Sequence, residues 1–243
     1  MSNKNVVITG ASCSLGQALI TEFAGCGCKV IATSRREIET ATPSPVKQLS
    51  GLDLTQPEAL KTLGDAIGQD FDGPFNVVNS LGYFPGYADL ADTRLDEAAK
   101  TFNGNVLALV GVASTVLPKM AVSGGGHFIA FSSHTVYQHY PKLVAFTAAK
   151  AAVESLVKGI ANEYSGSGIL ANTFSLATLL TDLEMQMKPH GDFSNWLDTK
   201  EVAQTVREFI ETDNRLMNGN VIHLFKHSQT YFHQSYFERI GNI

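Results

Sequence analysis

A chain of 243 residues, 44% hydrophobic and 17% charged, has the length and apolar content for one compact domain with a substantial core. Its net charge is −5, with acidic and basic residues interspersed and no polybasic block, so nucleic acid and anionic membranes are not expected partners. Cys13, Cys26 and Cys28 are odd in number and crowded near the start, which argues against a disulfide framework and fits reduced thiols in a reducing compartment.

The N-terminus, MSNKNVVITG, enters a β-branched run at once, without the long apolar core and cleavage site of a signal peptide. No later apolar run reads as long enough to cross a bilayer, so a cytoplasmic protein is the expectation. Six runs read as strands: NVVITG, CKVIATS, FNVVNS, GHFIAFSS, GILANTFSL and NGNVIHLF. Helical periodicity separates them. Gly16 to Phe23 places Leu19 and Phe23 on one face, Pro57 to Ala66 follows a Thr55 cap, and Leu95 to Leu117 forms a long apolar-striped helix ended by Pro118. Alternating strands and helices predict an α/β fold over residues 1–243, a single doubly wound domain with a mostly parallel sheet covered by helices on both faces. Ligands then bind beyond the carboxyl ends of the strands.

The segment TGASCSLG, residues 9–16, lies between the first strand and the first helix. A glycine-rich turn there lets backbone N–H groups approach a pyrophosphate at the helix N-terminus. The segment resembles the fingerprint Thr-Gly-x-x-x-Gly-x-Gly of the short-chain dehydrogenase/reductase family: Thr9, Gly10 and Gly16 match, Ser12 and Leu15 fall within it, and Ser14 replaces the middle glycine. The Ser14 side chain either narrows the phosphate cradle or adds a hydrogen bond to it. Strand two ends in Thr33-Ser34-Arg35-Arg36, where no carboxylate takes the ribose hydroxyls and arginine can pair with a 2′-phosphate; NADP(H) is therefore favoured over NAD(H). The resemblance continues through Asp53 and Leu54, beside the adenine in relatives, and through Asn79 and Gly82 of NSLG. It spans residues 5 to about 225, and implies a Rossmann-type domain, a small-molecule substrate, and a homodimer or homotetramer built through helices four and five and the C-termini.

Asn105, Ser133, position 146 and Lys150 are similar in order and spacing to the family's Asn, Ser, Tyr and Lys. In that family the serine orients the substrate carbonyl, the tyrosine is the acid or base on its oxygen, the lysine holds the nicotinamide ribose and lowers the tyrosine pKa, and the asparagine supports a proton-relay water. Positions 146 and 150 share a helix face. Residue 146 is Phe146, whose ring fills the tyrosine's space with no proton to give. The stretch SSHTVYQHY offers His134, Tyr137, His139 and Tyr140 nearby. Tyr137 is the favoured substitute acid and Tyr83 a second candidate, although rings in such places also simply line a pocket or the surface.

Leu176-Ala177 replaces the family's Pro-Gly turn and implies a reshaped loop, while Thr181 stands where relatives set a threonine against the carboxamide. Residues 178–198 read as a lid whose Met185, Met187, Phe193 and Trp196 line an apolar pocket or pack the lid itself. Ser14, Phe146 and the Leu176-Ala177 pair together point to natural divergence, since an engineered tyrosine replacement would explain one of the three. The aromatic tail over about 226–243 reads as an interface segment. His223, His227 and His233 share no helix face and no carboxylate or cysteine pattern accompanies them, so no metal site is expected. The sequence thus supports an NADP(H)-dependent oxidoreductase acting on a carbonyl or alcohol without the usual tyrosine. The alternatives are a catalytically silent NADP-binding sensor or partner subunit, and a non-redox isomerase or dehydratase.

Overall fold

The computed structural model describes residues 5–37, 46–187 and 193–226. Seven strands lie among them: β1 (Asn5–Thr9), β2 (Lys29–Thr33), β3 (Val46–Leu49), β4 (Asn76–Asn79), β5 (Gly126–Ser133), β6 (Ile169–Leu176) and β7 (Val221–Leu224). They form one parallel sheet in the order β3-β2-β1-β4-β5-β6-β7. Val6, Val7 and Ile8 of β1 are all fully buried, because helices cover both faces and leave neither side of a central strand for polar residues.

On one face, α1 (Ser14–Gly25) and α8 (Thr199–Thr212) set Leu19, Phe23, Val202 and Val206 against Val6, Ile8 and Phe174. On the other, α2 (Pro57–Asp70), α4 (Ala108–Ser123) and α6 (Val144–Glu163) set Leu63, Leu109, Val112 and Val157 against Val7, Val77 and Phe128. The short helices α3 (Leu95–Phe102), α5 (Thr135–Gln138) and α7 (Asp182–Met187) lie at the carboxyl end of the sheet or lead into the longer ones. Strand order reverses between β1 and β4, so the crevice between their ends is where such a fold binds ligand.

The structure departs from the sequence expectations at several elements. There are seven described strands instead of six: β3 is an edge strand of four half-buried residues, VKQL, too short and polar to register as apolar periodicity. Thr55 does not cap α2. Its N–H and hydroxyl both donate to an Asp53 carboxylate oxygen, at 3.1 and 2.8 Å, and Gln56 takes the cap position before Pro57. Pro118 does not end its helix, which runs on to Ser123 and stops at Gly124, whose φ of 103° breaks the right-handed path and whose N–H returns to the Met120 carbonyl.

Through the π-helical turn Asn103–Leu107, α3 and α4 also form one continuous helix, Leu95–Ser123, with a mean hydropathy of 1.8 over its most apolar 18 residues. By length and composition it could cross a membrane, contrary to the expectation from sequence. Its Leu109, Val112, Val116 and Met120 are buried in the core, while Leu95, Phe102, Leu107 and Val110 are exposed.

Candidate active site

The dinucleotide end of the crevice begins where β1 turns into α1. Gly10 has φ +72°, and a Cβ on it would come within 2.7 Å of the Ser80 carbonyl oxygen; a Cβ on Gly16 would meet the Gly10 carbonyl at 2.4 Å. Both glycines are steric necessities, since one turn of chain is pressed against the end of β4 and the first turn of the helix is pressed against that turn. Ser14 opens α1 with its side chain exposed, and no left-handed backbone is required of it. Cys13 is the N-cap, its Sγ accepting from the Gly16 N–H at 3.2 Å.

Beneath this turn the Thr9 hydroxyl donates to Asn79 Oδ1 at 2.7 Å, joining the ends of β1 and β4. The Ser12 carbonyl accepts from Gln17. Leu15 and Leu54 are buried with their side chains in the two cores, which leaves only their main chain to face a ligand. At the end of β2, Ser34 is buried with its hydroxyl donating to the Arg36 carbonyl, while Arg35 and Arg36 are exposed.

At the other end, the π-helical turn aims Asn105 inward. Its Nδ2 donates to the carbonyls of Tyr83 and Thr101, both at 2.8 Å, and leaves Oδ1 buried without a hydrogen-bond partner among the described residues. Lys150, buried on α6, donates from Nζ to the Phe131 carbonyl at 3.1 Å. The two groups meet at Gly82, where a Cβ would lie 3.2 Å from Asn105 Oδ1 and 3.5 Å from Lys150 Nζ. Burial lowers the Lys150 pKa to about 8, with the Cys13 thiol opposing the shift.

Phe146, one helical turn before Lys150, holds its ring centroid 5.7 Å from Nζ and meets Phe84 edge-on at 5.1 Å. Ser133 ends β5, two residues after Phe131, and its Oγ accepts from the Thr135 N–H at 3.3 Å. A cavity of about 110 Å³ opens beside Phe146, bounded by Pro85, Ala88, Thr101, Leu143 and Val144.

Four of the residues expected at the chemistry, Asn105, Ser133, Phe146 and Lys150, thus come together around the end of β5. Tyr137 does not join them. Its hydroxyl donates to Glu154 Oε2 at 2.6 Å, and the other Glu154 oxygen accepts from Ser132, which projects from the face of β5 opposite to Ser133. Burial of the hydroxyl end, together with the Glu154 charge, pushes the Tyr137 pKa up, away from what an acid at neutral pH needs. Tyr83 is likewise engaged, donating to Glu97 at 2.8 Å.

One group was missed by sequence reasoning. Glu154 is a buried carboxylate four residues after Lys150, legible only as a charge on an apolar helix face. His134 and Tyr140 form a buried pair, Nε2 to hydroxyl 3.1 Å, with His134 Nδ1 3.0 Å from the Leu176 carbonyl. That carbonyl also accepts from the His134 N–H, and the Ala177 N–H donates to Leu224, so Leu176-Ala177 continues strand pairing where a turn was expected to be reshaped.

Thr181 sits just before α7, its hydroxyl oxygen accepting from the Glu184 N–H. The ends of the 178–198 segment are stitched together by Leu197 N–H to the Thr178 carbonyl and Leu180 N–H to the Leu197 carbonyl, with Phe193 and Trp196 in ring contact at 4.6 Å. The tail from residue 227, with His227 and His233, lies outside the described residues. Among the described residues no three His, Cys, Asp or Glu side chains gather as a metal site would need.

Comparison with known proteins adds to this geometry. An NADPH-dependent aldehyde reductase-like chloroplastic protein of Arabidopsis thaliana is 26% identical over 250 residues, covering 91% of this chain and 93% of its own. The structure of ElxO carrying a tyrosine-to-phenylalanine substitution, with NADPH bound, superposes with a TM-score of 0.82 at 24% identity, over 91% of this chain and 96% of that one. A 3-ketoacyl-(acyl-carrier-protein) reductase from Brucella melitensis complexed with NADH gives a TM-score of 0.83 at 17% identity, over 91% and 96%. The sequence model for the short chain dehydrogenase family matches residues 4–192. With that match over most of its length, the chain belongs to the short-chain dehydrogenases, a family of oxidoreductases.

Proposed function

We propose that the protein is an NADP(H)-dependent oxidoreductase that interconverts a small carbonyl compound and its alcohol without a tyrosine acid. The convergence of Lys150 Nζ and Asn105 Oδ1 on Gly82, beside Ser133, carries this reading. A chain that had abandoned catalysis has no reason to keep a lysine buried and an asparagine oxygen buried without a partner at the same point.

The chain's own residues fit the cofactor. The Gly10 and Gly16 positions leave no Cβ in the turn, α1 opens towards the crevice with its N-terminal dipole, and Ser14 stands outward on it. Arg35 and Arg36 would pair with a 2′-phosphate, Asp53 and the Leu54 main chain would lie beside the adenine, and Lys150 and Thr181 would hold the nicotinamide half. Bound there, NADPH supplies a hydride to the carbonyl carbon. Ser133 would hold the carbonyl oxygen, and the rings of Phe146 and Phe84 keep water from that side.

Residues 178–187 and 193–198, the described parts of the 178–198 segment, would cover the substrate as a lid, with residues 188–192 outside the described residues, and the protein works as a homo-oligomer. The names of the Arabidopsis relative and of the NADPH-bound ElxO variant support NADP(H), while the NADH complex of the Brucella enzyme shows that this fold also serves the other cofactor. A fluorescence titration with NADPH and NADH in parallel tests the reading: NADPH is expected to bind at least tenfold more tightly. Equal affinities would remove the role of Arg35 and Arg36, and no binding of either would remove the oxidoreductase. A silent NADP-binding subunit is the second reading, favoured by Phe146 and by the engagement of Tyr137 and Tyr83 elsewhere. NADPH binding without any carbonyl reduction would select it.

A further inference from the structure

We propose that Lys150 is itself the proton donor of the reduction, its ammonium standing in for the hydroxyl that Phe146 lacks; the proposal rests on the oxidoreductase reading above. The tyrosine hydroxyls nearby are committed elsewhere: Tyr137 donates to Glu154, Tyr83 to Glu97, and Tyr140 to Gln138. Lys150 is the acid that remains at the site. Its Nζ reaches the main chain of β5 two residues before Ser133, where a carbonyl oxygen would be held, and it lies one helical turn from the position that carries the proton in relatives.

An ammonium has three N–H bonds to give. The Phe131 carbonyl takes one, and the buried Asn105 Oδ1, across Gly82, faces the same point without a donor of its own. The charged groups around Lys150 do not hold its proton. Glu154, one turn further on α6, spends its two oxygens on Ser132 and Tyr137, and Glu97 of α3 spends its own on Tyr83 and Lys100. From the turn before α1, only the Cys13 thiol bears on it electrostatically.

The result, among the described residues, is an ammonium without a carboxylate partner beside the Phe146 ring, and burial there lowers its pKa to about 8. Such a lysine is protonated at neutral pH yet releases its proton more readily than an ordinary one, and acids with a pKa near the working pH are the efficient ones. In the step, the π pair of the carbonyl moves onto its oxygen as the hydride arrives. One N–H bond of Lys150 breaks, the proton passes to that oxygen to complete the alcohol, and the neutral amine regains a proton from solvent.

The test uses the full-length protein, with hexanal and benzaldehyde as probe substrates. Competitive labelling of Lys150 with acetic anhydride across pH, read by peptide mass, is expected to show a midpoint near 8 without any turnover. The rate of aldehyde reduction is expected to fall as pH rises through the same midpoint. Lys150→Arg keeps the positive charge but cannot release a proton; at saturating NADPH it is expected to reduce either aldehyde at least 100-fold more slowly than the parent. Phe146→Tyr, which restores a competing acid, is expected to raise the rate at least tenfold and to move the high-pH limb away from 8. A labelling midpoint near 10.5, a fully active Lys150→Arg protein, or NADPH binding with no aldehyde reduction between pH 6 and 10 would each overturn the proposal. Failure of the parent to bind NADPH would instead bring down the oxidoreductase reading and this role with it. Binding and turnover that survive Lys150→Arg would bring down the role of Lys150 alone.

Discussion

Ser14 and Phe146 look alike in the sequence, each a replacement in a motif, yet they differ in consequence. Ser14 stands exposed at the start of α1, in backbone any residue adopts, so the missing glycine costs the turn nothing. We expect Ser14→Gly to change NADPH affinity by less than about threefold in the same fluorescence titration. Gly16 is different, because its Cβ would press on the Gly10 carbonyl at 2.4 Å and on Ala11 at 2.7 Å, both main-chain atoms that cannot swing aside. Gly16→Ala is expected to cost about 1–3 kcal/mol in denaturant unfolding, and to weaken NADPH binding by at least tenfold. Which substitution matters was not legible in the motif, since a pattern names residue types and says nothing of the atoms opposite them. The same limit misplaced Tyr137: neighbours along a chain that turns at a strand end can leave on opposite faces, and its partner Glu154 lies 17 residues away.

Among the elements, long buried strands and helices were readable because burial on both faces or on one stripe leaves an unbroken apolar signature, as in β1, β5 and β6. Elements held by pairing alone were not. β3 carries four half-buried residues and exists because Val30 to Thr33 of β2 offer it a ladder. β5 also carries a titrating group that its apolar run concealed. His127 is buried, 3.3 Å from an Asp213 carboxylate oxygen at the end of α8 and edge-on to Phe209, with Arg215 next to that aspartate. Burial depresses its pKa and outweighs the pull of Asp213. The unfolded chain therefore binds this proton more readily than the folded one, and stability falls as pH drops through the ordinary value of 6.5 towards the depressed one. Thermal unfolding between pH 7.5 and 5 is expected to show a smaller loss of Tm for His127→Phe than for the parent, whereas an equal loss would place the acid sensitivity elsewhere.

For the molecule as a whole, the alternation of strand and helix runs foretold a single α/β layer structure, but it could not say which apolar residues stay outside. The helix Leu95–Ser123 buries one side and presents Leu95, Phe102, Leu107 and Val110 on the other, with Val144 of α6 also exposed. Apolar exposure of this kind is characteristic of an interface. A second copy of the chain is the expected cover, so Leu107→Glu combined with Val110→Glu should halve the mass seen in sedimentation; a parent protein that is already monomeric, or that floats with lipid vesicles, would point away from it. The close approach of Gly10 to the Ser80 carbonyl has a consequence of another kind. β1 lies between β2, about twenty residues on, and β4, about seventy residues on. During synthesis the β1–β2 pair can form early and the Ala11 N–H can then reach the Thr33 carbonyl, but Gly10 meets its Ser80 neighbour only after residue 80 has emerged. Such distant pairings are slow to close. The first turn of the chain is therefore among the later parts to take its final shape, and a dinucleotide present during folding would meet a finished cradle only after the middle strand is in place.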